Sequence, residues 1–157
     1  MRDYLLFRLG TVEFAVPHDA VAAILPAPAI LPLPPAPNGI SGILPHTATP
    51  RYVLDLRLKF ALTPSVPIPT AIALRAFPAA LLADAILDSA RIADQSIRPV
   101  RPHPKHLYRN YTSGVWRGRS RPCFVLDLNA LCGPAGAALT QSPEADLSVL
   151  HSAPPLQ

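Results

Sequence analysis

The chain has 157 residues, of which half are hydrophobic and 15% are charged, and its net charge is +4. This length suits one ordinary domain, or two small barrels that share a core, and the composition excludes overall disorder. A charge of this size does not by itself select a partner. Proline occurs 21 times along the chain, and since an interior proline breaks an α-helix, we expect short strands, turns and extended connections.

The first elements predicted along the chain are an antiparallel hairpin and an irregular segment after it. Residues 4–9 (YLLFRL) form a strand, and residues 12–16 (VEFAV) return beside it with apolar side chains alternating on one face. Residues 18–25 (HDAVAAIL) form either a short helix or an irregular strand. Residues 26–40 (PAPAILPLPPAPNGI) are extended, and the apolar stretch 20–37 is too rich in proline to span a membrane. No secretory signal is present, and we expect a cytoplasmic protein without direct membrane insertion.

A sixteen-residue segment occurs twice in the chain. Residues 41–56 (SGILPHTATPRYVLDL) and 113–128 (SGVWRGRSRPCFVLDL) are identical at seven positions, and their glycine and aspartate are thirteen positions apart in both. Each copy is predicted as a strand, a polar loop and a return strand, because a hairpin of set register keeps a constant length. A duplicated unit among short strands predicts two similar small barrels.

The segments around the second copy predict two more strands and a tail. Residues 71–77 and 79–87 are apolar and form two strands on either side of a proline. Residues 91–111 form a long, basic and mostly extended connection. Residues 134–157 are rich in proline and alanine, and we expect them to be a flexible tail.

The repeated aspartates, Asp55 and Asp127, raise an enzymatic hypothesis. A duplicated fold that supplies one carboxylate from each half is the arrangement of aspartic proteases. Those proteases need small residues and glycine after each aspartate, whereas Leu-Arg and Leu-Asn follow here. Each aspartate is instead predicted to end a strand and to accept N–H groups of the turn that follows. We therefore assign both a structural role and predict no catalytic residues.

No metal or cofactor site is predicted. His103 and His106 lie in an extended HPKH stretch, where two imidazoles are not expected to converge with further ligands. Cys123 and Cys132 are the two cysteines of the chain; they form no CxxC pattern and are expected to be reduced. The sequence also contains no glycine-rich phosphate loop and no nucleophile–histidine pattern. We therefore predict a non-enzymatic protein.

A basic strip with interleaved aromatic residues runs from Arg98 to Arg121. Its candidate contact residues are Arg109, Arg117, Arg119 and Arg121, and Tyr108, Tyr111 and Trp116 lie among them. Such a strip is typical of phosphate contact and base stacking, so an RNA-binding barrel is an alternative function. An acidic protein partner would be attracted equally, and no recognised nucleic-acid-binding motif is present. We favour the protein partner.

Several stretches, taken in order, resemble the CheW-like family of chemosensory adaptors. They are YLLFRLGTVEFAVP, ILPLPPAPNGISGIL, YVLDLRLKFAL, ALLADAIL and YTSGVWRGRSRPCFVLDLNALC, and they span residues 4–132. The resemblance implies an all-β fold of two interlocked five-stranded SH3-like barrels with few short helical segments. It implies one domain at 1–133, with barrels at about 12–66 and about 67–133 and the N-terminal strand shared between them.

The resemblance also implies two partners, the regulatory domain of a CheA-like histidine kinase and the cytoplasmic tip of a chemoreceptor. The positions that match the family's contact surface are Val21, Ile24, Gly42, Ile43, Thr47 and Gly114. An apolar patch at Val21 and Ile24 would suit a helix, but core packing explains both equally well. Thr47 and Ala48 replace a usual arginine and glycine, and Ala23 replaces a usual glutamate. A diverged adaptor that keeps one partner is therefore a further alternative.

Overall fold

The computed structural model describes residues 1–34, 39–45 and 49–133, which form strands and a few short helical segments. The strands are β1 (Arg2–Leu9), β2 (Val12–Pro17), β3 (Val21–Pro26), β4 (Leu31–Pro32), β5 (Ile40–Leu44), β6 (Arg51–Leu54), β7 (Thr70–Leu74), β8 (Ala79–Ala83), β9 (Ala85–Ile92), β10 (Thr112–Trp116) and β11 (Cys123–Leu126). The α-helices are α1 (Leu56–Lys59) and α2 (Leu128–Cys132), and 3₁₀ turns occur at His18–Ala20, Asp94–Ser96 and Leu107–Tyr111. The predicted all-β class is confirmed.

The strands form two sheets that correspond strand for strand. One sheet has the order β10-β11-β2-β1-β9, and the other has the order β5-β6-β8-β7-β3, with the two-residue strand β4 beside β5. In each sheet one pair is parallel, β11 with β2 and β6 with β8. Apart from β4, each sheet takes a hairpin from one half of the chain (β1–β2 or β7–β8) and three strands from the other half. The two halves are therefore interlocked.

The predicted barrel boundaries differ from these sheets. β2 lies within 12–66 but pairs with β11 of the second half. β7 lies within 67–133 but pairs with β3 of the first half. Each half thus exchanges a whole hairpin, not only the N-terminal strand, because the apolar alternation of a strand does not specify which sheet it joins. The expected count of five strands also changes, since β4 makes one sheet six-stranded.

Both copies of the repeated segment fold in the same way, as β5–β6–α1 and as β10–β11–α2. An extended segment crosses each copy close to its glycine. A Cβ on Gly42 would lie 2.6 Å from the carbonyl oxygen of Leu31, and one on Gly114 would lie 2.7 Å from that of Arg98. The repeat therefore contains glycine at this position because the backbones approach too closely for a side chain.

The core lies between the two sheets and is shared by both halves. Its central aromatic cluster is built around Phe14, whose ring centroid lies 5.8 Å from those of Phe7 and Phe60 and 5.6 Å from that of Tyr108. Phe124 of the second half also packs on Phe14, at 6.3 Å. Buried aliphatic residues of both sheets continue the same cluster. The two sheets therefore share this core, and each sheet also buries a smaller hydrophobic cluster, which includes Leu6 and Val125 in one sheet and Val53 and Leu82 in the other.

Three local predictions need correction. The strand predicted at 79–87 is two strands, because the chain turns at Asp84, whose carboxylate is buried. The connection at 91–111 is less extended than predicted, since it contains two 3₁₀ turns and a β-bridge to β10. The segment 18–25 contains both forms that its sequence left open, a 3₁₀ turn followed by β3.

Some predictions concern parts of the chain that the structure does not describe. Thr47, Ala48 and the tail at 134–157 lie outside the described residues. Among the residues that are described, no helix is long and apolar enough to cross a membrane.

Candidate protein-interaction site

The six positions assigned to a contact surface have different environments. Gly42, Ile43 and Gly114 are buried, and Val21 is only 8% exposed, so these four residues belong to the core of the fold. Ile24 is 41% exposed. Core packing therefore accounts for Val21, whereas Ile24 is available for an apolar contact at the surface. Thr47 lies outside the described residues.

Ile24 lies on β3, which is an edge strand of its sheet. β3 pairs with β7 on one side, with Ile24 opposite Ile72, and has no strand on its other side among the described residues. Ala22 and Ala23 are exposed beside Ile24. The edge of β3 therefore offers unpaired backbone groups next to small apolar side chains, a combination that favours contact with another protein.

A groove of about 430 Å³ lies where the two sheets meet. The 3₁₀ turn before β3 and the β7–β8 loop form one wall, and the backbone N–H of Arg75 donates to the carbonyl of Ala20 at 3.0 Å to join them. The start of β1 and the β11–α2 junction form the opposite wall. Pro17, Phe77 and Leu128 give the groove apolar contact area. Because Ala20 directly precedes β3, the groove adjoins the exposed edge.

The repeated aspartates cap the two short helices. Asp55 Oδ1 accepts the N–H of Arg57 at 3.1 Å, and Asp127 Oδ1 accepts the N–H of Ala130 at 3.1 Å. Asp55 also forms an ion pair with the Arg57 guanidinium at 3.0 Å. This geometry matches the turn interpretation of the sequence.

Asp84 forms a buried polar cluster that the sequence did not predict. Its side chain is fully buried, and it accepts the N–H of Gly10 at 2.6 Å and the N–H and hydroxyl of Ser65, both at 3.0 Å. Arg57 donates to its other oxygen at 3.1 Å. Burial opposes ionisation, but these donors and the guanidinium outweigh burial and lower the pKa of Asp84. The cluster joins the β1–β2 turn of one sheet to α1, which follows β6 of the other sheet.

Three of the four candidate contact residues of the basic strip contact the protein itself. Arg119 pairs with Glu13 at 3.6 Å, and Arg121 donates to the carbonyl of Thr11 at 3.1 Å. The guanidinium carbon of Arg109 lies 5.7 Å from the centroid of the Phe124 ring. Of the four candidate contact residues, only Arg117 is exposed without such a contact among the described residues. The strip is therefore not one continuous basic surface.

The histidines and cysteines form no metal-binding cluster of three or more residues in the described part of the chain. The rings of His103 and His106 lie 4.9 Å apart, closer than expected, because a tight turn brings them together. No cluster of three or more metal-ligating side chains includes them, within the residues that the structure describes. Cys123 and Cys132 are buried and unbridged, and burial raises the pKa of each thiol to about 12.

An internally duplicated β fold, with an apolar edge strand and a groove between its sheets, has the features of a protein-interaction domain. The chain belongs to the CheW-like domain family, whose model matches residues 3–133. Its fold is similar to that of the scaffolding protein TtCheW from Thermoanaerobacter tengcongensis, with a TM-score of 0.73 and 19% identity over 83% of this chain and 86% of that chain. No curated protein matches the chain.

Proposed function

We propose that this protein is a non-enzymatic scaffold that links the cytoplasmic tip of a chemoreceptor to the regulatory domain of a CheA-like histidine kinase. Membership of the CheW-like family supports a scaffold role in chemosensory signalling. The observation that carries the proposal is the presence of two adjoining surfaces, the groove and the β3 edge, on one shared core. The protein would act in the cytoplasm, where both partners have their signalling domains.

The groove is the proposed site for the receptor. A receptor tip is helical, and a helix docks by placing apolar side chains from one face into a groove. Phe77 and Leu128 supply apolar contacts, and Arg2 and Asn129 supply polar groups at the margin. A volume of about 430 Å³ accommodates a few side chains of such a helix, while the rest of the helix stays outside.

The β3 edge is the proposed site for the kinase. A regulatory domain of the same fold would also have edge strands, and two such edges can extend one another through backbone hydrogen bonds. Ile24 would provide an apolar anchor beside these bonds. Because Ala20 belongs to the groove and directly precedes β3, a receptor in the groove would lie close to a kinase on the edge. Signals would then pass through contact and not through a catalytic step.

The test is a pair of titrations of the purified chain, one with a receptor cytoplasmic fragment and one with the kinase regulatory domain. Ala76→Arg places a bulky charge on an exposed residue of the groove, and we expect it to weaken receptor binding at least about tenfold. Ile24→Glu should weaken kinase binding to a similar extent. Ala29→Arg and Leu58→Glu are matched controls, since both residues are exposed and neither belongs to the groove or to β3.

The outcome separates the full adaptor from its alternatives. Binding of both partners, each lost with its own variant only, supports the scaffold. Binding of the kinase alone supports the diverged adaptor, and Thr47→Arg then tests whether the missing arginine restores the receptor. If neither partner binds, or if the control variants weaken binding as much as Ala76→Arg and Ile24→Glu do, the proposal is wrong.

A further inference from the structure

A second, smaller cleft surrounds Trp116 at the end of β10. It has a volume of about 350 Å³ and is lined by Ser96, Arg98, Trp116, Arg117 and Gly118. None of these residues belongs to the groove between the sheets or to the edge of β3. Its lining combines an indole with two guanidinium groups and includes no acidic side chain.

The backbone of the cleft is held in place by the fold. Arg98 and Val115 exchange two backbone hydrogen bonds, at 2.9 and 2.8 Å, which fix the segment before β10 against that strand. Gly118 lies against the indole of Trp116, since a Cβ at this position would overlap the ring. The backbone of Arg98 and Val115 is therefore already ordered before a ligand binds, which reduces the entropic cost of binding.

The two arginines of the cleft are free to bind a ligand. Arg119 and Arg121 follow Arg117 closely in the chain but contact Glu13 and the carbonyl of Thr11. Arg98 and Arg117 are exposed, and no ion pair or side-chain hydrogen bond engages them within the described residues. Among Arg109, Arg117, Arg119 and Arg121, the one without such a contact in the described residues is thus Arg117, which lines the cleft together with Arg98.

The corresponding place in the first half of the chain shows that the fold does not require these residues. Leu31 pairs with β5 as Arg98 pairs with β10. Leu44 ends β5 where Trp116 ends β10. Leu44 is buried and is followed by Pro45, whereas the half-exposed Trp116 is followed by Arg117. The same backbone frame is therefore built with aliphatic residues in one half and with charged and aromatic residues in the other.

We propose that the Trp116 cleft is a third docking surface, which binds an acidic segment of a protein partner. Tryptophan and arginine are the residues most enriched where protein interfaces gain their binding energy. A guanidinium binds a carboxylate with two parallel hydrogen bonds, and the indole face offers apolar contact beside it. A nucleic acid fits less well, because it needs a row of phosphate contacts, and Arg109, Arg119 and Arg121 already contact the protein.

Trp116 is the single tryptophan of the chain, so its fluorescence reports on the cleft directly. The experiment titrates the purified full chain with a synthetic octaglutamate peptide at low salt and follows the emission of Trp116. Octaglutamine is the uncharged comparison, and an eight-nucleotide oligothymidylate is the nucleic-acid comparison. We expect a saturable change with octaglutamate that weakens as salt is added, and no change with octaglutamine.

Charge reversal tests whether the cleft itself binds the peptide. Arg117→Glu is expected to weaken octaglutamate binding about tenfold, as for the loss of one charge-assisted pair. Arg98→Glu should have a similar effect. Lys105→Glu makes the same change of charge at an exposed residue outside the cleft. The variants are compared at about 0.15 M salt, where the Debye length is about 8 Å, and Lys105→Glu should then change the affinity less than about twofold.

Three results would overturn the proposal. They are equal effects of Arg117→Glu and Lys105→Glu, equal responses to octaglutamate and octaglutamine, and tighter binding of the oligonucleotide that depends on Arg117. The last result would identify a nucleic-acid site instead. The experiment contains neither kinase nor receptor, and Ile24→Glu should leave peptide binding intact. A failure of the Trp116 cleft proposal can therefore be distinguished from a failure of the scaffold proposal.

Discussion

Replacing Asp84 with asparagine would remove the charge from a fully buried side chain while preserving its size. The amide oxygen of the asparagine can still accept from Gly10 and Ser65, but its NH₂ group then faces Arg57. Arg57 is itself only 10% exposed, and it would keep Asp55 as its single counter-charge. Removal of one partner of a buried ion pair costs about 3–5 kcal/mol. Because Asp55 remains, we expect about 3 kcal/mol for Asp84→Asn.

The loss is measured by urea denaturation followed through Trp116 fluorescence. A domain of this size has a free energy of unfolding of about 5–15 kcal/mol, so the variant should remain folded with a clearly lower midpoint. Arg57→Met should cost a similar amount, since it leaves Asp84 buried without a counter-charge. The double variant should be about 2 kcal/mol more stable than the sum of the single losses predicts.

The pH dependence gives an independent check. The pKa of Asp84 is lowered in the folded protein, so its contribution to stability is fully present above the unfolded pKa of about 3.9 and is lost as the pH falls through the folded pKa. The difference in stability between wild type and Asp84→Asn should therefore shrink in acid. A loss below about 1 kcal/mol at neutral pH, additive single losses, or a difference that does not shrink in acid would refute this account.

Three further predictions concern the repeat, the core and the thiols. Gly42→Ala and Gly114→Ala should each destabilise the protein by about 1–3 kcal/mol in urea denaturation, because the added Cβ meets a carbonyl oxygen; unchanged midpoints would contradict the close approach. Phe14→Ala should lower the free energy of unfolding by about 3–5 kcal/mol in the same assay, because it removes the ring at the centre of the aromatic cluster. A loss near 1 kcal/mol would argue against one shared core. Cys123 and Cys132 should resist alkylation at pH 8 until the protein unfolds, because each is buried with a pKa of about 12. Mass spectrometry measures the alkylation, and rapid labelling of the folded protein would contradict this prediction.

The repeated segment is the part of the fold that the sequence predicted best. Two copies of one pattern within the chain allowed the strand–loop–strand unit and the turn role of Asp55 and Asp127 to be inferred from local chemistry alone. The exchange of hairpins could not be inferred in this way. The apolar residues of β1 and β2 show that the hairpin is buried, and the structure buries it on both faces, but several strands in the chain could pair with it equally well.

The side chains of the candidate site show a similar limit. Val21 and Ile24 are both aliphatic and lie three positions apart, and only the pairing of β3 with β7 shows which one is buried. Arg117 and Arg119 are equivalent in sequence, but the partner of Arg119 is Glu13, far away in the chain. Asp84 was placed inside a strand because its donors, Gly10 and Ser65, are also distant in sequence. Such contacts depend on tertiary packing, which local patterns do not contain.

The exchanged hairpins make the molecule resemble a domain-swapped dimer joined into a single chain. A protein with only one copy of the repeat would lack the hairpin that completes its own sheet, and a second copy of the same chain could supply it by two-fold symmetry. In the present chain neither half can unfold without opening the sheet of the other. The two halves should therefore melt in one cooperative transition, and fragments that divide the chain between β6 and β7 should be stable only when they are mixed.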